Sequence, residues 1–342
     1  MNIDALIRPN IVALKPYSSA RHEFTGHGEI FLDANENPYD TDVNRYPDPL
    51  QQELKQVISE LKNIPVDQIF LGNGSDEAID LILRIFCNPG QDEIMVLPPT
   101  YGMYQVSADI ADVKVKKVRL TEDFQPDLES IRQSMGENTK VLFLCSPNNP
   151  SGNLIGIEKV KQILGFFKGI VVIDEAYIDF CPESTTIPMI GLYDRLIVLQ
   201  TLSKAWGMAA IRLGMAFSSA DIISYFNKVK APYNINILTQ RFALDRLNKR
   251  QAMREQTSEI LNEKHKLMTL LPTIPCVQKV YPSDANFLLI KVTQADRIYE
   301  ALVVKGIVVR NRSKEPGCEN ALRITIGKPK ENELLIQTLK SL

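Results

Sequence analysis

A chain of 342 residues, 44% hydrophobic and 23% charged, can bury one large core or two ordinary ones, and no stretch is depleted of apolar residues as disorder requires. A formal net charge of −2 gives no electrostatic reason to expect nucleic acid or a membrane surface as partner. The five cysteines are scattered without a C-x-x-C pair, which fits a reducing compartment, and His22, His27 and His265 lack zinc-site spacing, so no metal is expected.

The N-terminus, Met1-Asn2-Ile3-Asp4-Ala5-Leu6-Ile7-Arg8-Pro9, has neither the basic start nor the unbroken apolar run of a signal peptide, and no segment is long enough to span a bilayer. A cytoplasmic protein is expected. From about residue 66 to 215, short apolar runs alternate with helical periodicity. Ile69-Phe70-Leu71, Glu93-Ile94-Met95-Val96-Leu97, Val141-Leu142-Phe143-Leu144, Ile170-Val171-Val172-Ile173 and Leu196-Ile197-Val198-Leu199 have the length and β-branching of buried strands. Ala78, Ile79, Ile82, Leu83 and Phe86 make one helical stripe, and Val160, Ile163, Leu164 and Phe167 another. Strands apolar on both faces, interleaved with helices, predict an α/β fold with a mainly parallel sheet covered on both sides.

Past Pro232 the pattern becomes a long charged helical stretch over residues 238–271, and a domain boundary is expected there. A smaller α+β unit follows, with strands at Phe287-Leu288-Leu289-Ile290, Ile307-Val308-Val309 and Leu322-Arg323-Ile324-Thr325-Ile326, a helix ending by Gly306, and a final helix. The expected division is an N-terminal arm, 1–30, contributing to the small domain and to dimer contacts, a large domain, 31–234, and a small domain, 235–342.

Ligands of an open parallel sheet bind beyond the carboxyl ends of its strands, and those ends are polar here. Ile170–Ile173 delivers Asp174-Glu175-Ala176-Tyr177. Asp174 either caps the next helix or, buried, holds a cationic partner such as a ring nitrogen. Leu196–Leu199 runs into Ser203-Lys204-Ala205-Trp206-Gly207-Met208, with Arg212 shortly after. A lysine among Leu202, Ala205, Trp206 and Met208 is pushed toward the neutral amine, which attacks an aldehyde to form a Schiff base; the plainer reading is a solvated Ser-Lys loop. Gly72-Asn73-Gly74-Ser75-Asp76-Glu77 opens a helix and is a phosphate cradle or an ordinary turn, lacking both G-x-x-x-x-G-K-[ST] and G-x-G-x-x-G. Pro147-Asn148-Asn149-Pro150 can fix an amide, and Tyr101 can offer an aromatic face.

Each feature has a bland explanation, but five at successive strand ends resemble the fold-type I pyridoxal-phosphate aminotransferases, and among them the branch acting on histidinol phosphate. Ser203-Lys204-Ala205-Trp206-Gly207-Met208 with Arg212-Leu213-Gly214, Pro147–Gly152 and Asp174–Tyr177 carry the likeness most strongly. The resemblance implies a large domain with a mainly parallel, seven-stranded-type sheet and pyridoxal 5′-phosphate bound on Lys204. It implies that Asp174 pairs with the ring nitrogen, Asn149 and Tyr177 meet the ring oxygen, and Tyr101 stacks on the ring. Gly74, Ser75, Asp76, Ser203 and Arg212 are then the phosphate site. Arg45-Tyr46-Pro47-Asp48-Pro49 matches the motif of a tyrosine that reaches this phosphate from the opposite subunit, so Tyr46 and a homodimer with composite sites are implied.

Leu14-Lys15-Pro16-Tyr17, Leu32–Pro38 and Leu322–Gly327 resemble the substrate-side segments, which makes Tyr17, Asn35, Arg323 and the neighbouring Arg310 the expected substrate contacts. Ala210 stands where relatives usually carry glycine. The activity implied is transfer of the amino group of histidinol phosphate to 2-oxoglutarate, giving imidazole acetol phosphate and glutamate in histidine biosynthesis. Alternatives are an aromatic or broad-specificity aminotransferase, a decarboxylase of a phosphorylated amino acid, or a non-catalytic metabolite-binding protein.

Overall fold

The computed structural model describes residues 3–17 and 30–342. Seven strands form the larger sheet: β1 Ile69–Asn73, β2 Glu93–Val96, β3 Lys114–Lys117, β4 Thr139–Cys145, β5 Ile170–Asp174, β6 Leu196–Thr201 and β7 Leu213–Phe217. Their order is β1-β7-β6-β5-β4-β2-β3, parallel throughout except that β7 runs antiparallel to both β1 and β6. The five expected strands are all present. Two were not anticipated: β3, whose Lys-Val-Lys-Lys sequence suits a half-exposed edge, and β7, whose glycine-bearing start reads as a loop motif.

Both sheet faces are covered, as runs apolar at every position require. Leu142 and Leu144 of β4 pack on one side with Leu54, Ile58 and Ile163, while Val141 and Phe143 pack on the other with Ile79, Ile82 and Phe226. Burial of such strands is worth about 25 cal/mol per Å² of apolar surface removed from water, which fixes register wherever alternate residues face different layers. Consequently Cys145 lies opposite Asp174, and Asp174 opposite Leu199, so the loops leaving β4, β5 and β6 start side by side.

The smaller sheet is antiparallel, in the order β10-β11-β9-β8, with β8 Val277–Val280, β9 Phe287–Val292, β10 Arg310–Asn311 and β11 Ala321–Thr325. Its core joins Leu288, Ile290, Leu322 and Ile324 to Leu267, Leu335 and Leu339 of flanking helices. The strand expected at Ile307–Val309 is displaced: those residues make no ladder, and pairing begins at Arg310, opposite Arg323. The expected continuous helix is two helices, Ile237–Leu247 and Arg250–Leu270, broken at Asn248 and Lys249. Ala243 and Leu247 of the first pack under the large sheet, whereas Leu267 of the second joins the small core.

Residues 3–12 do not join the small sheet. Ile3, Ile7 and Ile11 pack against the large-sheet layer that holds Ile79 and Phe226, and Arg8 donates to the Arg84 carbonyl. The remainder of the expected arm, residues 18–29, lies outside the described residues. Among the described residues no helix is long and apolar enough to cross a membrane.

Candidate active site

The neighbouring ends of β4, β5 and β6 open into a cavity of about 600 Å³, closed on its far side by the small sheet. At its base Asp174, the last residue of β5, is 2% exposed. Tyr104 donates its hydroxyl to Asp174 Oδ2 at 2.7 Å, and the Ala176 amide donates to Oδ1 at 3.1 Å. Burial outweighs these bonds and raises the Asp174 pKa to about 6. A carboxylate so placed is completed by a cationic partner inside the cavity. Tyr104 is fully buried, stacked on Phe143 with centroids 4.6 Å apart, and was missed in the sequence; the Tyr-x-x-Tyr spacing from Tyr101 was the only available sign.

Lys204 follows β6 and stands at the cavity mouth, its side chain open to solvent yet close enough to protein for desolvation to lower its pKa. Arg323 and Arg212 push it in the same direction, against Asp174 and Asp76. The ammonium form is thereby disfavoured, which frees the lone pair a nucleophile or base needs. Its Nζ lies 5.5 Å from the Tyr177 ring centroid.

A group of anion-binding donors occupies one end. Arg212 takes φ +52°, which turns its side chain back over the start of the Gly74–Phe86 helix, and its Nη2 meets Asp76 Oδ2 at 3.4 Å. Gly74 holds φ +72°, a left-handed backbone that favours glycine, and an added Cβ would crowd the Arg212 guanidinium as well. Thr201 donates its hydroxyl to Ser203 Oγ at 2.9 Å, and Ser75 and Ser203 both line this end. A helix N-terminus, two hydroxyls and a guanidinium form a cradle for phosphate. Tyr101 forms a wall, its hydroxyl donated to Asp76 Oδ1 at 3.1 Å.

At the opposite end Arg323 of β11 donates from Nη1 to Asn149 Oδ1 at 2.5 Å, while Asn149 Nδ2 donates to the Tyr177 hydroxyl at 3.5 Å. Arg310 and Arg312 lie beside it, and Arg312 Nη2 pairs with Glu315 Oε1 at 2.7 Å. Neither Arg312 nor Glu315 was singled out in the sequence, because both sit in a polar loop with no motif around them. Burial raises the Glu315 pKa, opposed by Arg312 and Arg323, and its Oε2 has no hydrogen-bond partner among the described residues.

Eleven of the expected residues therefore line one cavity: Ser75, Asp76, Tyr101, Asn149, Asp174, Tyr177, Ser203, Lys204, Arg212, Arg310 and Arg323. Gly74 backs the cradle. Tyr17, Asn35 and Tyr46 do not line it. Tyr17 is largely exposed, Asn35 holds φ +52° in an outlying turn, and Tyr46 stacks on Tyr233 with centroids 4.4 Å apart. The donor set fits pyridoxal 5′-phosphate: a phosphate cradle at one end, a buried carboxylate for a ring cation, and an amine of lowered pKa between them.

Residues 31–339 match the family model described as aminotransferase class I and II. The chain is 54% identical to the histidinol-phosphate aminotransferase of Parabacteroides distasonis, with 98% of each chain covered. It is 52% identical to that of Christiangramia forsetii, covering all of this chain and 98% of the relative. Among solved structures, the histidinol-phosphate aminotransferase of Clostridium acetobutylicum superposes with a TM-score of 0.81 at 26% identity, over 88% of this chain and 91% of that one.

Proposed function

The chain belongs to the class I and II aminotransferase family, and on that premise we propose that it transfers the amino group of histidinol phosphate to 2-oxoglutarate in histidine biosynthesis. One observation carries the choice of substrate. The end of the cavity opposite the phosphate cradle gathers three guanidinium groups, Arg310, Arg312 and Arg323, against the single carboxylate of Glu315. That excess of positive charge suits a doubly charged phosphate monoester better than a lone carboxylate. It also admits the carboxylates of 2-oxoglutarate in the second half of the cycle.

The cofactor is pyridoxal 5′-phosphate, which when bound supplies an aldehyde that accepts the amino group and a protonated ring that withdraws electrons from the substrate carbon. Lys204 provides the covalent attachment point, and its Nζ afterwards takes the proton from the substrate carbon bearing the nitrogen. Asp174, steadied by the Tyr104 hydroxyl, keeps a proton on the ring nitrogen. Tyr177 and Asn149 direct hydrogen bonds at the ring oxygen, and Tyr101 covers the ring face. Arg212, Ser75, Ser203 and the helix start after Gly74, at Asp76, fix the cofactor phosphate. Arg323, with Arg310, orients the substrate by its own phosphate. Tyr17 and Asn35 belong to this reading as further substrate contacts.

We assign the active unit as a homodimer in which Tyr46 serves the partner's phosphate cradle. Its half-exposed ring, lying outside its own chain's cavity, supports that role. The proposed division is an arm, 1–30, a large domain, 31–234, and a small domain, 235–342; the separate core that includes Leu267 supports a second unit, while Ile237–Leu247 and the arm's Ile3, Ile7 and Ile11 pack with the large sheet. The substrate reading is tested by a half-reaction, in which candidate donors are added to the holoenzyme and loss of its visible absorbance is followed. Histidinol phosphate should convert the cofactor at the lowest concentration. Conversion first by phenylalanine or tyrosine moves the enzyme to the aromatic class, and release of carbon dioxide from a phosphorylated amino acid moves it to the decarboxylases.

A further inference from the structure

Behind the Lys204 loop lies a second cavity of about 450 Å³, which shares no lining residue with the first. It separates the large sheet from the Arg250–Leu270 helix, and its apolar wall includes Ile178, Phe180, Trp206, Met253 and Leu261. Gln200, 1% exposed, forms part of the polar wall. Its Nε2 donates at 2.8 Å to Glu175, a carboxylate that already accepts from the Thr185 hydroxyl and from the Thr186 amide and hydroxyl. That acceptor settles which way the amide points and leaves Gln200 Oε1 without a partner among the described residues. That oxygen is itself closed to the cavity, which therefore offers a ligand its apolar wall and the charge that lines it.

Charge in the cavity is one-sided. Asp179 is already taken, by Lys62 Nζ at 2.8 Å and Trp206 Nε1 at 3.1 Å. Arg254, on the facing helix, has no ion pair or hydrogen bond among the described residues, and Arg250 spends only its Nε, on the Leu247 carbonyl. We infer that this cavity is a second binding site, for a small amphipathic carboxylic acid. Its flat apolar body lies against Trp206 and Phe180, and its carboxylate meets Arg254 and Arg250. The site lies next to the chemistry, since Trp206 is two residues from Lys204 and Ile178 follows Tyr177.

Trp206 is the chain's only tryptophan, so occupancy is read from its emission. Phenylacetate, which has the required ring and carboxylate, is titrated into the holoenzyme. A saturable emission change with half-effect at or below about 1 mM is expected, and a signal not saturating in that range overturns the inference. Arg254→Ala, at an exposed position, should raise the half-effect concentration about tenfold. Ser258→Phe, also exposed but lining the cavity, should abolish the change while leaving the circular dichroism unaltered. Arg323→Ala should leave the titration as it is. Loss of the signal in Arg323→Ala with retention in Ser258→Phe places the acid in the first cavity and sinks the second site.

Discussion

Asp174 and Arg323 face the same cavity from opposite kinds of scaffold. Asp174 ends a strand buried on both faces and paired on both sides, and its carboxylate is held by Tyr104, itself fully buried. Arg323 sits on a small antiparallel sheet whose outer neighbour, β10, is two residues long, and Arg310 there is exposed. The first arrangement holds a group within tenths of an ångström, as a shared chemical step demands. The second is bounded on one side by only two paired residues, so its guanidinium is held less rigidly. On the proposed reading, chemistry and selectivity are carried by separate parts of the fold, and mutations at the two ends should fail in different ways.

The largest effect should come at the chemical end. Lys204→Ala is expected to lower kcat by about 10⁴-fold or more on every donor alike, with the melting temperature of the cofactor-free protein unchanged. Borohydride reduction of the wild type followed by peptide mapping should label Lys204 alone, and a label elsewhere removes it from its role. Asp174→Ala should cost roughly 3–4 kcal/mol in the barrier, again for all donors, since one fixed electrostatic partner is lost. A variant within a few-fold of wild type reduces Asp174 to a helix cap.

Arg323→Ala should separate the two ends. For histidinol phosphate it is expected to cost about 3 kcal/mol in kcat/KM, with only part restored by Arg323→Lys, which lacks the bidentate fork. On histidinol, which has no phosphate, the loss should be far smaller. Equal losses on both donors erase the distinction between the two ends.

A smaller effect concerns stability. The Asp174 pKa of about 6 lies above the unfolded carboxylate value of about 3.9, so the folded cofactor-free protein holds this proton more tightly. The resulting stabilisation is complete below about pH 4 and lost as pH rises through about 6, an effect of roughly 2–3 kcal/mol. Urea unfolding should therefore show Asp174→Asn gaining on wild type by that amount between pH 4 and pH 8. Bound cofactor should erase the difference by supplying a cationic partner. A gap that does not change with pH shows that Asp174 is not strained by burial.

The two ends also differed in how readily the sequence disclosed them. β1, β4, β5 and β6 were legible because strands buried on both faces need continuous Val, Ile, Leu and Phe, and the polar residues terminating them stand out. β3 was not, because an edge strand with three lysines among its four residues carries no apolar run. Ile307–Val309 looked more like a strand than Arg310–Asn311, but pairing there is set by the partner β11 rather than by local propensity. The break at Asn248 and Lys249 was hidden by charged residues compatible with helix on either side. In the site, Lys204 and Asp174 were visible from their strands, and Tyr104 was hidden because its partner lies 70 residues away. Arg312 and Glu315 define each other only after the loop closes.

The contact from Arg323 Nη1 to Asn149 Oδ1 crosses 174 residues of sequence and joins the small sheet to the turn after β4. Its chemical type matters more than its length. An amide is a neutral resting place: it steers the guanidinium without cancelling its charge, so the full attraction remains available to an arriving anion. A carboxylate at position 149 would form a closed ion pair, and each incoming phosphate or carboxylate would have to displace it. On the proposed reading, asparagine leaves Arg323 a clutch held in neutral, free to engage a phosphate in one half of a reaction cycle and a carboxylate in the other, and to let go of both.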